Sequence, residues 1–173
     1  MSTVLESNVY VNKTMCALCK GECCERMPGI TMPEDFGSTH EEIVNRLYNA
    51  IKSGRYCFDY YEGNPMEESD QTVVPEIEEY FESEYKGYYV RPAIKGKEQM
   101  IVDPAWGGRC TFHTDNGCTL SYENRPLQCR LLKPKEQLSD TCKSIGPNSK
   151  NEYAIAWAEY HKEIIDLINQ RGR

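Results

Sequence analysis

Apolar residues fall at helical spacing in three stretches of this chain and alternate with polar ones in several others, with turn residues between. Ile43, Leu47 and Ile51 recur every four residues, Ser38 with Glu41 makes a capping-box pattern, and Gly54 supplies a stop. That predicts a helix starting near Ser38. Residues 151–170 give the clearest helix, with Ala154, Trp157, Ala158, His161, Ile164, Ile165 and Ile168 on one face and Gly172 beyond the end. Residues 75–85 predict a third, with Pro75 in the first turn and Ile77, Tyr80, Phe81 and Tyr85 on one side. The aromatic run at 55–61 reads as a strand. Residues 87–92 and 98–103 read as two strands of an antiparallel hairpin, joined by a turn at 94–97. Residues 110–113 suggest another strand before the strong turn signal Asp115-Asn116-Gly117. Val9-Tyr10-Val11 is a short alternation suited to an edge strand, while residues 26–33 and 130–150 read as turn-rich or irregular. The pattern is that of an α+β chain in a single small domain over residues 1–173, built from antiparallel hairpins and a few helices with a long C-terminal helix.

Length and charge narrow the function classes. At 173 residues the chain can bury a sizeable core without a metal. No apolar run approaches the roughly 18 residues of a membrane span, and the first residues lack the basic start and apolar centre of a secretory signal, so the cytoplasm is the expected compartment. A net charge of −7 argues against general nucleic-acid binding and against anionic membranes. Residues 62–85 hold nine acidic residues and no Lys or Arg. They read as a solvated insertion or loop-helix, or as a docking face for a protein with a basic surface.

The nine cysteines change the picture. Cys16, Cys19, Cys23 and Cys24 form a tight knot, and Cys110, Cys118, Cys129 and Cys142 form a second, widely spaced set. Clustered cysteines in a cytosolic chain point to metal binding rather than disulfides. Thiolate is a soft, charged donor that both Zn²⁺ and iron–sulfur clusters select. Eight thiolates satisfy two four-ligand sites, or one site with the rest structural; the adjacent pair Cys23-Cys24 diverges in direction and favours more than one metal or more than one role. The second set has no C-x2-C knuckle and no His at knuckle spacing, so an iron–sulfur cluster, [4Fe–4S] by preference, is expected over Zn²⁺. Lys20, Arg26, Arg109, Arg130 and Lys143 lie within two positions of these cysteines and are candidates to offset the charge of such a site. Cys57, alone in an aromatic run, reads as a small buried hydrophobe outside the site. His161 reads as a core residue and His40 as a surface one. His113 reads first as structural, with a place behind the metal ligands or as an occasional ligand as its functional alternatives. Asn124-Arg125-Pro126 reads as a turn that fixes the chain before Cys129, and Trp106 as a core residue that could also shield the site.

The segments CALCKGECC, GGRCTFHTDNGCTLSYENRPLQCRLLKP and TCKSIG resemble the CxxCxxCC cysteine-cluster family, the YkgJ-like proteins, described as a zinc- or iron-chelating domain. The most specific part is Gly117-Cys118, Tyr122-Glu-Asn-Arg-Pro126 and Cys129-Arg130. The chain departs from the family pattern by a third residue between Cys19 and Cys23. The resemblance implies that the eight cysteines of the two sets are the metal-binding candidates. Three functions follow as expectations: a structural or electron-transfer metalloprotein, a metal-scaffolded interaction adaptor, and an S-adenosylmethionine-dependent protein-modifying enzyme, since flagellin lysine methylases carry a similar segment. The chain has no G-x-G-x-x-G fingerprint to support the last.

Overall fold

The aromatic run of the first predicted strand becomes the centre of the fold. In the computed structural model, which describes residues 18–65, 86–105, 107–133, 142–144, 146 and 150–171, β1 (Tyr56–Tyr61) pairs antiparallel with β2 (Gly87–Pro92), from Tyr56↔Pro92 to Tyr61↔Gly87. The hairpin expected between residues 87–92 and 98–103 does not form. Residues 94–100 close instead into two successive turns, Lys97 N–H to Ile94 O (2.9 Å) and Met100 N–H to Lys97 O (2.9 Å). Only residues 101–103 extend, and they run parallel along the free edge of β1, where Phe58 N–H donates to Ile101 O (2.7 Å) and Asp103 N–H to Phe58 O (2.9 Å). The physical reason is burial: Phe58 is wholly buried and needs both its backbone groups satisfied, while Gln99 and Met100 are exposed and gain nothing from a ladder.

Arg91, wholly buried on β2, ties these three stretches together. Its Nε donates to Asp59 Oδ2 (2.9 Å), its Nη1 to Pro92 O (3.1 Å), and its Nη2 lies 3.3 Å from Asp103 Oδ2. A buried guanidinium persists only when its charge and donors are matched in this way.

The helices pack on the ladder. α1 (Glu22–Arg26) carries Cys23 and Cys24 of the cysteine knot, and α2 (His40–Lys52) presents Ile43, Leu47 and Ile51 to the core as the spacing predicts. Its N-cap is Thr39, one residue beyond the expected Ser38: Thr39 Oγ1 accepts from Glu42 N–H (3.3 Å), and the Glu42 carboxylate accepts from Ser38 N–H (2.9 Å). Gly54 ends the helix with φ +76°. Beyond β2, Cys110 makes only a bridge to Ile94, and a tight hairpin follows, β3 (His113–Thr114) with β4 (Gly117–Cys118), turning at Asp115-Asn116 as expected. α3 (Leu127–Arg130) then leads into β5 (Leu132–Lys133), which pairs with β6 (Lys143–Ser144).

The C-terminal helix is α4 (Lys150–Trp157) and α5 (His161–Arg171), joined by a 3-10 turn at Ala158–Tyr160. Three residues at 120° instead of 100° rotate the buried face by about 60°. Leu167 is therefore buried where the periodicity favoured Ile165, which is half-buried. Ala154, Trp157, Ala158, His161 and Ile164 are buried as expected. The apolar core joins Ile30 and Phe36 to α2, the β1–β2 ladder, and Tyr153, Trp157 and Ile164. The architecture is a small α+β fold of antiparallel strand pairs with a long C-terminal helix. No helix among the described residues is long and apolar enough to cross a membrane. The expected edge strand at 9–11, the helix at 75–85, Cys16, Trp106, most of 134–149 and Gly172 lie outside the described residues.

Candidate metal centre

The cysteine knot is folded by a break in a helix. Leu18 and Cys19 are helical, Lys20 (φ +51°) and Gly21 (φ +74°) turn left-handed, and α1 restarts at Glu22 with Cys24 N–H bonded to Gly21 O (2.8 Å). A left-handed lysine costs roughly 1–2 kcal/mol, so the surroundings must hold it there. Three backbone acceptors in the knot are taken by the second cysteine segment. Cys110 N–H donates to Cys24 O (2.8 Å), Gly108 N–H to Arg26 O (2.8 Å), and the His113 ring to Lys20 O (2.6 Å). Gly107 permits this approach, since a Cβ there would stand 2.8 Å from Arg26 O.

A second seam closes on the other side. Ile30 N–H donates to the Gln128 side-chain oxygen (2.8 Å) and Gln128 N–H returns to Ile30 O (3.2 Å). Gly29 lies so close to Cys129 that a Cβ would stand 2.3 Å from its Sγ. The half-buried α3, which carries Cys129, is anchored by Asp35. One carboxylate oxygen accepts Leu127 N–H (2.8 Å) and Met32 N–H (3.0 Å), and the other meets the Arg130 guanidinium. Trp157 Nε1 donates to Thr31 O (2.8 Å), which fixes the same loop to the core.

These seams gather thiols from three stretches of chain. Cys23, Cys24, Cys110 and Cys129 act on one another's charge, and Cys118 acts on Cys110 and Cys129. Cys23 is lowered to about 6, chiefly because the Cys24 thiol donates a hydrogen bond to it, with the Arg125 guanidinium adding to the effect. The same bond pushes Cys24 far upward, helped by burial and by the charges of Cys23, Cys129 and Cys110. Burial raises Cys110 to about 11 and Cys129 to about 12, and their sulfur neighbours push the same way. Burial and neighbouring sulfurs thus disfavour further thiolates beside Cys23, and a cation among them would favour ionisation. The donor set, soft and partly buried, fits a thiophilic metal or an iron–sulfur cluster. Among the described residues no three His, Cys, Asp or Glu side chains already stand in a coordinating arrangement.

Cys19 is half-buried in the turn that leads to Lys20. Cys142 is half-buried and directly precedes β6, which pairs with the strand that follows α3. None of the eight described cysteines forms a disulfide. Cys57 stands apart as expected: it is buried in β1, raised to about 12 by that burial, with Arg91, Asp103 and Asp59 for neighbours. Four of the five cations near the cysteines in sequence are described with their side chains. Arg26 pairs with Glu22 (3.3 Å), Arg109 with Asp115 (3.1 Å) and Arg130 with Asp35, and Lys20 is exposed. Arg125 acts on Cys23, and Arg91 on Cys110. Arg125 also donates from Nε to Leu120 O (3.3 Å), and Arg130 from Nε to Arg125 O (3.1 Å), so both arginines shape the turn before Cys129. Asp35, Gly29 and Gln128 had no sequence signal beyond their nearness to Pro, Gly or Cys.

Comparison with protein-family models, with curated proteins and with solved structures gave no match to this chain.

Proposed function

We propose that this chain is a cytoplasmic metal-binding protein of the cysteine-cluster type, holding an iron–sulfur cluster, [4Fe–4S] in preference to Zn²⁺, in a structural or electron-transfer role. Its ligands would come from Cys16, Cys19, Cys23, Cys24, Cys110, Cys118, Cys129 and Cys142. The observation that carries the reading is the meeting of Cys23, Cys24, Cys110, Cys118 and Cys129 from three separated stretches, fixed by backbone hydrogen bonds between the halves. None of these cysteines belongs to the main apolar cluster. Cys23 is exposed, which leaves an approach for electrons and favours electron transfer over a purely structural task.

The test is purification under argon followed by iron, sulfide and zinc analysis and an absorption spectrum. Broad absorption near ~400 nm that bleaches with dithionite, with iron and sulfide in equal amounts, is the expected result. Colourless protein with stoichiometric zinc would replace the cluster by zinc. Protein that stays metal-free after reconstitution, with every thiol open to alkylation, would end the metal reading.

A further inference from the structure

His113 is buried, and both of its ring nitrogens are engaged. Arg109 Nε donates to Nδ1 (2.9 Å), and a guanidinium can only donate, so Nδ1 is the acceptor and Nε2 carries the proton. That proton is given to the carbonyl of Lys20 (2.6 Å), the residue held left-handed between Cys19 and Cys23. Gly21 lies against the same ring, where a Cβ would stand 3.0 Å from Nε2. On its other side His113 is the cross-strand partner of Cys118. Arg109 is itself oriented by Asp115, at 3.1 Å from Nη2.

We propose that His113 is a positioning residue for the cysteine centre: its Nε2–H clamps the Lys20–Gly21 turn against the β3–β4 hairpin, so that the knot thiols and Cys118 face one centre. The ring touches no metal position in this role; it acts through the backbone of Lys20. Its metal consequence rests on the proposed function, but the clamp itself does not. Histidine suits the task because one ring both accepts from Arg109 and donates to the carbonyl. Glutamine has one oxygen and one amide nitrogen at comparable reach and can do the same; leucine fills the space and can do neither. Partners that orient metal ligands from behind are worth about 10–100-fold in metal affinity.

The experiment compares wild type with His113→Leu and His113→Gln, each purified under argon. The first readout is the rate of metal loss to excess EDTA, and the second is the alkylation rate of each cysteine, mapped by mass spectrometry after metal removal. We expect H113L to lose metal about 10–100-fold faster and to raise alkylation at Cys19 and Cys23 over the internal control Cys57, with H113Q close to wild type in both. Wild-type rates of metal loss and alkylation in H113L would overturn the proposal. So would equal defects in H113L and H113Q accompanied by faster alkylation at Cys57, which would mark general loosening of the fold. If wild type binds no metal, the proposed function fails and the alkylation pattern alone decides: a selective rise at Cys19 and Cys23 in H113L supports the clamp, and an unchanged pattern overturns it.

Discussion

Gly29→Ala is the sharpest probe of the seam between the knot and Cys129. Alanine at 29 would place its Cβ 2.3 Å from Cys129 Sγ. Ordinary contacts sit near 3.5–4.0 Å, so the overlap is roughly 1.2–1.7 Å. Two motions relieve it. Cys129 can swing its sulfur out of the thiol group, or α3 can back away and break the reciprocal Ile30–Gln128 hydrogen bonds. Overpacking of this kind costs about 1–3 kcal/mol, and each hydrogen bond lost adds about 1 kcal/mol. We therefore expect G29A to lose about 2–4 kcal/mol and to lower Tm by about 5–15 °C. The control is the same change in a Cys129→Ala background. There the nearest remaining atoms would be Cys129 N at 3.2 Å and Cβ at 3.6 Å, close to ordinary contact. In that background G29A should cost under about 1 kcal/mol. Urea unfolding of the four proteins, with metal content recorded for each, measures the coupling. Equal costs in the two backgrounds, or a cost below about 0.5 kcal/mol in wild type, would refute the argument.

Three further outcomes follow from other parts of the molecule. Asp35→Asn removes the charge facing Arg130 and weakens the anchor of α3, so it should cost roughly 1–3 kcal/mol in urea unfolding and speed alkylation of Cys129; an unchanged Cys129 rate would show that the anchor does not position it. His161 has its pKa lowered by burial, so the unfolded chain takes up the proton first as pH falls, and the stability His161 contributes above about pH 6.5 is lost through its lower folded value. His161→Phe should flatten the fall in stability between pH 7 and pH 5, and parallel pH profiles for the two proteins would contradict this. Cys57→Ala should cost about 1–2 kcal/mol as a small core truncation yet leave metal per chain unchanged, and metal loss would draw Cys57 into the site.

How far the sequence could be followed depended on whether the signal was local. β2 and the turn at Asp115-Asn116 came out where aromatic patterning and turn chemistry put them. The partner of β2 did not, because nothing in residues 87–92 records that their ladder mate lies before the acidic segment rather than after. The core face of the C-terminal helix drifted after Tyr160 because one 3-10 turn shifts the phase, which periodicity alone does not register. For the centre, the cysteine spacing marked two sets, and five of those thiols lie within reach of a neighbour's charge, with no three in a coordinating arrangement among the described residues. What composition could not supply was the cations and clamps. Arg125 acts on Cys23 from across the fold, and Gly29 and Asp35 shape the seat of Cys129 from roughly a hundred positions away in sequence.

One feature of the central ladder bears on how the chain assembles. Tyr61 and Gly87 face each other as the last pair of β1 and β2, so the chain leaves and re-enters the sheet at one point. Residues 62–86 are thus bracketed by the terminal pair of the ladder. Closing so long an excursion in place of a short turn costs about 2 kcal/mol of chain entropy, at roughly 0.6 kcal/mol per doubling. That toll falls before the ladder can zip from Tyr61 toward Tyr56, and before Arg91 can reach Asp59. A circular permutant opened within residues 66–85, or a graft of a two-residue turn in their place, would therefore change the order and speed of assembly while leaving the thiol centre, at the far end of the ladder beside Tyr56, as it is.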